Sequence, residues 1–222
     1  MVSTITSFMK AIQTLDDIAD GLDALQVLDP RLVPVVQIAG SVPLRLREPS
    51  LSSLMKIVVS QQLSVQSAAA IWARFEAAFD PQNPEEIIEL DEEALRGVGL
   101  SRPKIKTLKA IAMAARHHGL DCAELVGCPN DEVTARLTAI HGVGPWTAEI
   151  FSLFCLGHPD IFPLGDIALQ KGVGDAFDLK ERPTRDVLAK IAEQWSPWRG
   201  VAARLFWAYY GAQQKNRNVL PV

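Results

Sequence analysis

Cysteine is scarce in this 222-residue sequence, strand-like alternation is nearly missing, and no stretch is long and apolar enough to span a bilayer. The three cysteines, Cys122, Cys128 and Cys155, have no metal-ligand spacing and form no even set for disulfides. Their pattern points to a reduced, intracellular compartment. Positive charge is also short: 22 Lys and Arg against 26 Asp and Glu give a formal charge of −4. That excludes a protein that coats a polyanion by bulk charge, so any anion site has to be local, built from clustered cations or backbone amides. The N-terminal stretch MVSTITSFMKAIQTLDDIADG carries Asp16, Asp17 and Asp20 and has no uninterrupted apolar core, so it does not read as a secretory signal. The protein is expected to be soluble.

Helical periodicity is what the sequence has in abundance. In PKIKTLKAIAMAARHHG, Ile105, Leu108, Ile111, Ala112 and Ala115 share a face, while Lys104, Lys106, Lys109 and Arg116 lie mostly elsewhere. LSSLMKIVVSQQ and TRDVLAKIAEQW repeat the pattern, and Ile71, Trp72 and Phe75 are the bulky core candidates of an alanine-rich segment. NPEE at 83–86 supplies a cap, a proline in the first turn and acids behind it. Only VPLRLR, 42–47, alternates, and Pro43 demotes it to an edge strand or an extended linker. The reading is an all-α fold of about ten short helices. Two helical lobes with an interlobe cleft are expected. One covers about residues 30–130; the other joins 1–29 to 131–222 and includes a hairpin at 130–157.

That hairpin is the first functional signal. NDEVTARLTAI is one helix, PWTAEIFSLFCLG begins the next, and His141-Gly142-Val143-Gly144 lies between them. Glycine admits positive φ and close backbone approach, and Pro145 suits a first turn, where its missing N–H has no partner to lose. The new helix therefore directs its amides and positive dipole end at the turn, an anion site. A plain αα-corner is the bland alternative. GVGLSRPKIKTLK, 97–109, reads as a second, looser phosphate-facing hairpin through Lys104, with an ordinary solvated face as its alternative. Further on, DIFPLGDIALQKG sets an apolar loop, Phe162 to Gly165, before Asp166 at the head of a helix. Alone, Asp166 reads as an N-cap.

Together these motifs resemble the helix-hairpin-helix DNA glycosylase superfamily. SQQLSVQSAAAIW, GVGPWTAEIFSL, FPLGDIALQKG and WSPWRGVAARLFWAYY are similar, in order, to its 3-methyladenine DNA glycosylase II branch. The resemblance implies a partner, double-stranded DNA carrying damaged bases, and a reaction: removal of an alkylated purine flipped out of the stack, leaving an abasic site. It implies Asp166 as the catalytic carboxylate, stabilising positive charge at the sugar and admitting water, and kept ionised by the helix N-terminus. It implies Trp146, Trp198 and Phe162 around the base, and Gly142, Val143, Gly144, Thr147 and Lys104 on the DNA backbone. Gln62, with Leu63 beside it, is the implied wedge into the duplex; a polar helix end is the alternative for Gln61 and Gln62. Trp72, Trp195 and Trp207 read as core, and His117, His118, His141 and His158 as surface or turn residues.

Bifunctional relatives carry a lysine where this chain has Trp146, so the resemblance implies a monofunctional enzyme without lyase activity. Relatives with an iron–sulfur cluster use four C-terminal cysteines, and none follows Cys155 here, so no cluster is expected. No cofactor is required. The hairpin carbonyls of Thr138, His141 and Val143 are the implied holders of a structural sodium or potassium ion. A monomer in the cytoplasm or nucleoid (the nucleus in a eukaryote), away from membranes and not secreted, is expected. A glycosylase for deaminated or mispaired bases, and a non-catalytic helix-hairpin-helix DNA-binding module, are the alternative readings.

Overall fold

A computed structural model describes residues 10–217, with side chains to 214. The first nine residues of the segment read for signal character lie outside the described residues. Twelve α-helices and one 3-10 turn are present among them, and no strand. The chain forms two compact units, one of Arg47–Leu156 and one of Met1–Leu46 with Gly157–Val222.

The expected division near residues 30 and 130 is therefore displaced. The 32–39 helix packs on the C-terminal helix, which draws residues 30–46 out of the first expected lobe. The hairpin helices pack on each other and the second of them packs on the 51–60 helix, so they belong to the Arg47–Leu156 unit rather than with the C-terminal segment. VPLRLR forms no strand. Its Leu44 carbonyl accepts from the Arg204 Nε at 3.1 Å, and the Arg47 amide donates to the Phe154 carbonyl at 2.7 Å.

The Arg47–Leu156 unit contains α3 (Leu51–Ser60), α4 (Val65–Ala78), α5 (Pro84–Glu89), α6 (Glu92–Gly97), α7 (Arg102–His117), α8 (Asn130–Thr138) and α9 (Pro145–Phe154). α7 packs on α3, α5 and α6, as its apolar stripe requires, and Leu54, Val58, Phe75, Leu108, Ile111 and Phe151 are fully buried. Trp72 stacks on Phe75 with centroids 5.3 Å apart, a core tryptophan as expected.

The second unit contains α1 (Leu15–Leu28), α2 (Leu32–Ala39), α10 (Ile167–Ala176), α11 (Arg185–Glu193) and α12 (Arg199–Arg217), with α12 packed on α1, α2 and α10. Its centre is aromatic: Trp195 is fully buried against Phe162 and Phe206, with centroids at 5.3 and 5.1 Å. The Trp195 indole donates to the buried carboxylate of Asp29 at 3.0 Å, and Arg31 forks onto the same carboxylate at 2.8 Å. Burial pushes the Asp29 carboxyl up, but the hydrogen bonds from Arg31 and Trp195 and the Arg31 charge carry it below its ordinary value. A depressed carboxylate stabilises the fold above its unfolded pKa and loses that contribution as pH falls. Stability should therefore decline below about pH 4. Asp29→Ala should remove about 2 to 3 kcal/mol, read by urea unfolding at neutral pH, and should flatten that acid limb.

Candidate active site

The Asp166 carboxylate stands at the N-cap of α10, where its Oδ1 accepts from the Leu169 amide at 3.0 Å. So far this is the plain cap. The same Oδ1 also accepts from the indole Nε1 of Trp207 on α12 at 3.2 Å. α10 and α12 approach closely because Gly172 has no Cβ: one added there would lie 3.1 Å from the Phe206 carbonyl and 3.6 Å from the Tyr210 Cβ. Trp207, read from sequence as core, is half-buried and fixes the carboxylate instead. Its only signal in the sequence was its position one residue after buried Phe206, which turns it to a different face of α12.

The loop that delivers Asp166 is fastened at several points. The Asp166 amide closes a turn onto the Pro163 carbonyl at 3.0 Å, and the buried Gln170 side chain donates to the Leu164 carbonyl at 2.8 Å. Upstream, Asp160 accepts a two-pronged bond from Arg199 at 2.7 and 2.8 Å and one from the Ser196 hydroxyl at 2.9 Å. Burial raises the Asp160 carboxyl, yet the bonds from Arg199 and Ser196 and the Arg199 charge hold it below its usual range. The loop is thus tied to the start of α12, the helix that carries Trp207.

The three residues expected around the base are placed within their own units. Phe162 is 6% exposed and forms part of the aromatic core with Trp195 and Phe206. Trp198 lies against α1, where a Cβ on Gly21 would fall 2.8 Å from its ring, and its position just before α12 is about 13 Å along the axis from Trp207. Trp146 is half-buried in the first turn of α9, in the Arg47–Leu156 unit.

The hairpin is a tight turn between α8 and α9. The Val143 amide donates to the Ile140 carbonyl at 3.0 Å, and its side chain is 4% exposed. Val143 therefore anchors the turn, and its amide is engaged within it rather than offered to a strand. Gly142 has φ +82°, and a Cβ there would collide with the Thr107 side chain of α7, so glycine is required twice over. Gly144 differs: its backbone is extended, with φ −94°, and a Cβ would meet nothing within 4 Å. It is the N-cap of α9 and provides no side-chain cap, whereas α1, α3, α4, α5, α6, α10 and α11 each have one. The first turn of α9 is left facing outward with only backbone at its cap, the arrangement that suits an anion.

Two other residues expected on the DNA backbone make bonds within the unit. Lys104 donates to the carbonyls of Val59 and Gln61 at 2.7 and 2.8 Å, ending α3, and burial lowers its ammonium pKa. Thr147 is 1% exposed and its Oγ1 accepts from the Gln61 Nε2 at 2.8 Å. The pattern extends further: Lys109 closes the end of α5 through the Ile88 and Leu90 carbonyls, and Arg74 bonds the Val98 carbonyl after α6. Lys104 and Lys109 of the 97–109 segment, and Arg74 of α4, are thus engaged with carbonyls at helix ends. Gln62 is exposed with φ +55°, and Leu63 beside it is 39% exposed, so the turn between α3 and α4 projects from the surface.

Residues 55–197 match the family model described as HhH-GPD superfamily base excision DNA repair protein. The chain belongs to this superfamily. The HhH-GPD match contains the α3–α4 turn, the hairpin and the Asp166 loop, three segments that the fold brings to the ends of helices. Among curated relatives, the DNA-3-methyladenine glycosylase 1 of Schizosaccharomyces pombe is 35% identical over 158 residues, covering 69% of each chain. A Bacillus subtilis relative named as a putative DNA-3-methyladenine glycosylase is 32% identical over 162 residues, which span 69% of this chain but 56% of the relative. The S. pombe 3-methyladenine DNA glycosylase solved in complex with abasic DNA superposes with a TM-score of 0.79 at 33% identity, covering 85% of this chain and 95% of that one. No helix of the described residues is long and apolar enough to cross a membrane.

Asp166 and Trp207 give a direct prediction. Trp207→Phe keeps an aromatic ring and the Leu169 bond but removes the indole donor from Oδ1, so a reaction that uses this carboxylate should slow by about tenfold, with duplex affinity unchanged. Single-turnover release of free base, compared with a gel-shift titration, separates the two.

Proposed function

We propose that this chain hydrolyses the N-glycosidic bond of alkylated purines in double-stranded DNA, of the 3-methyladenine and 7-methylguanine type, and leaves an abasic site. The observation that carries the reading is the Asp166 carboxylate, fixed through Oδ1 by the α10 cap and the Trp207 indole in a chain of this superfamily. An alkylated purine is cationic and leaves readily. The enzyme then has to stabilise positive charge growing at C1′ and direct water to it, and a carboxylate does both. The C1′–N bond breaks with its electron pair passing to the base, water supplies the new C1′–O bond, and its proton is taken up by Asp166 or solvent.

The nucleotide leaves the stack before reaction, at a cost of a few kcal/mol that is smallest for a damaged base. Gly142, Gly144 and the first turn of α9 hold the strand through backbone without reading sequence. Gln62 and Leu63 fill the gap left behind, supported by their exposure at a left-handed turn. Trp146 offers a flat face for a cationic base, and it stands where a Schiff-base chemistry needs an amine, so the reaction is monofunctional. The neutral carbonyls of Thr138, His141 and Val143 would hold a sodium or potassium ion; it would steady the turn and supply nothing to bond breaking.

Incubation with methylated duplex DNA tests the reading. Free 3-methyladenine and 7-methylguanine should appear, and the product strand should break only on alkaline heating. Duplex binding with no base released makes the chain a non-catalytic binding module, and strand breaks without alkali make it a lyase.

A further inference from the structure

Gln61 caps the C-terminus of α3, immediately before the exposed Gln62 and Leu63, yet its own side chain turns inward. There its Nε2 donates to the Thr147 Oγ1 at 2.8 Å, a bond between residues 86 apart in sequence. Thr147 lies in the first turn of α9 and is 1% exposed, so no water replaces that donor if it leaves. On the other side of the same turn, the Lys104 ammonium holds the Val59 and Gln61 carbonyls. Close to it, the Thr107 side chain of α7 fills the space that Gly142 vacates in the hairpin. All of these residues belong to the Arg47–Leu156 unit.

We propose that Gln61 is a positioning residue that ties the duplex-probing turn, Gln62–Leu63, to the phosphate-gripping first turn of α9. This rests on the reading given under Proposed function. The physical reason is preorganisation. The Lys104 ammonium holds the start of the turn through its carbonyls but does not reach the hairpin; without a link to α9 the turn and the hairpin are ordered separately on DNA, each at its own entropic cost. With the Gln61–Thr147 bond in place, closing the hairpin on a strand already aims the turn at the neighbouring base step. Grip and probe become one rigid event.

The tie predicts coupling between two residues, which a double-mutant cycle reads. Gln61→Met keeps the length of the side chain without its donor, and Thr147→Val keeps the shape without the acceptor. Each should lower single-turnover release of 3-methyladenine, and the fluorescence rise of 2-aminopurine placed beside the lesion, by about three- to tenfold. The double variant should be no worse than either single one, and Thr147→Ser, which keeps the hydroxyl, should match the wild type. Affinity for undamaged duplex should stay within about twofold, because the hairpin itself is intact. Should Thr147→Val fail to fold, Gln61→Met, altered at the end of α3, carries the same prediction for release and fluorescence. Additive losses, an equal fall in undamaged-duplex affinity, or wild-type rates in both single variants overturn the tie while leaving the glycosylase reading standing. Wild-type protein that releases no methylated base overturns both.

Discussion

Asp166→Asn should reduce base release by about a thousandfold while leaving duplex affinity unchanged. The substitution is well matched to the site. An asparagine is as good an N-cap as aspartate, so α10 keeps its start. Its Oδ1 can accept the same two bonds, from the Leu169 amide and the Trp207 indole, so the side chain keeps its direction. What changes is charge: a neutral amide replaces the anion that opposes positive charge at C1′. Loss of release with retained folding and binding identifies Asp166 as the catalytic carboxylate. Loss of DNA affinity together with release assigns it a structural part instead. Asp166→Ala is the less informative variant, since it removes the cap as well and should lower stability by about 1 kcal/mol.

Gly144→Asp should have opposite effects on stability and function. The position has room for a Cβ and an ordinary extended backbone, so the residue fits without strain. Aspartate is a preferred N-cap and α9 has no side-chain cap, so the variant should gain roughly a few tenths of a kcal/mol in urea unfolding, glycine being itself a fair N-cap. The new carboxylate then occupies the amides that a phosphate would use and repels the strand. Affinity for damaged and undamaged duplexes should fall together, by about a hundredfold at low salt. A selective loss for damaged DNA contradicts a sequence-blind backbone grip. Gly142 cannot be used this way, because any side chain there meets Thr107 and confounds binding with folding.

Much of the molecule was legible without coordinates. Apolar residues at helical spacing gave α7 and its buried face, and Asn83-Pro84 marked the start of α5. The turn from Gly142 to Pro145 announced a helix beginning at a glycine, and α9 begins there. Asp166 was recognisable as a cap and, through the order of neighbouring motifs, as a candidate for chemistry. These readings succeed because helix periodicity, capping and turn formation are decided within a few residues.

What the sequence left open lies where distant segments decide. Lys104, expected on a phosphate, bonds the Val59 and Gln61 carbonyls at the end of α3, which a long flexible cation can reach. Thr147 sits beside the anion-facing turn in sequence, yet helical rotation points its hydroxyl inward to Gln61. Phe162, expected beside the base, completes an aromatic core, and Trp207, expected in the core, turns its N–H to Asp166. The lobe boundary moved because α2 finds its apolar partner on α12, far along the chain.

From the order of residues alone follow an all-helical fold, the starts of α5, α9 and α10, a glycine turn before α9, and a carboxylate heading α10. Only the packing of α10 on α12 at Gly172 selected which indole fixes that carboxylate, and only the packing of α3, α7 and α9 assigned the cations and Gln61 their partners. The reason is reach. Backbone preferences and caps are set by neighbours in sequence, whereas a side-chain hydrogen bond goes to whichever buried polar atom the fold brings within about 3 Å.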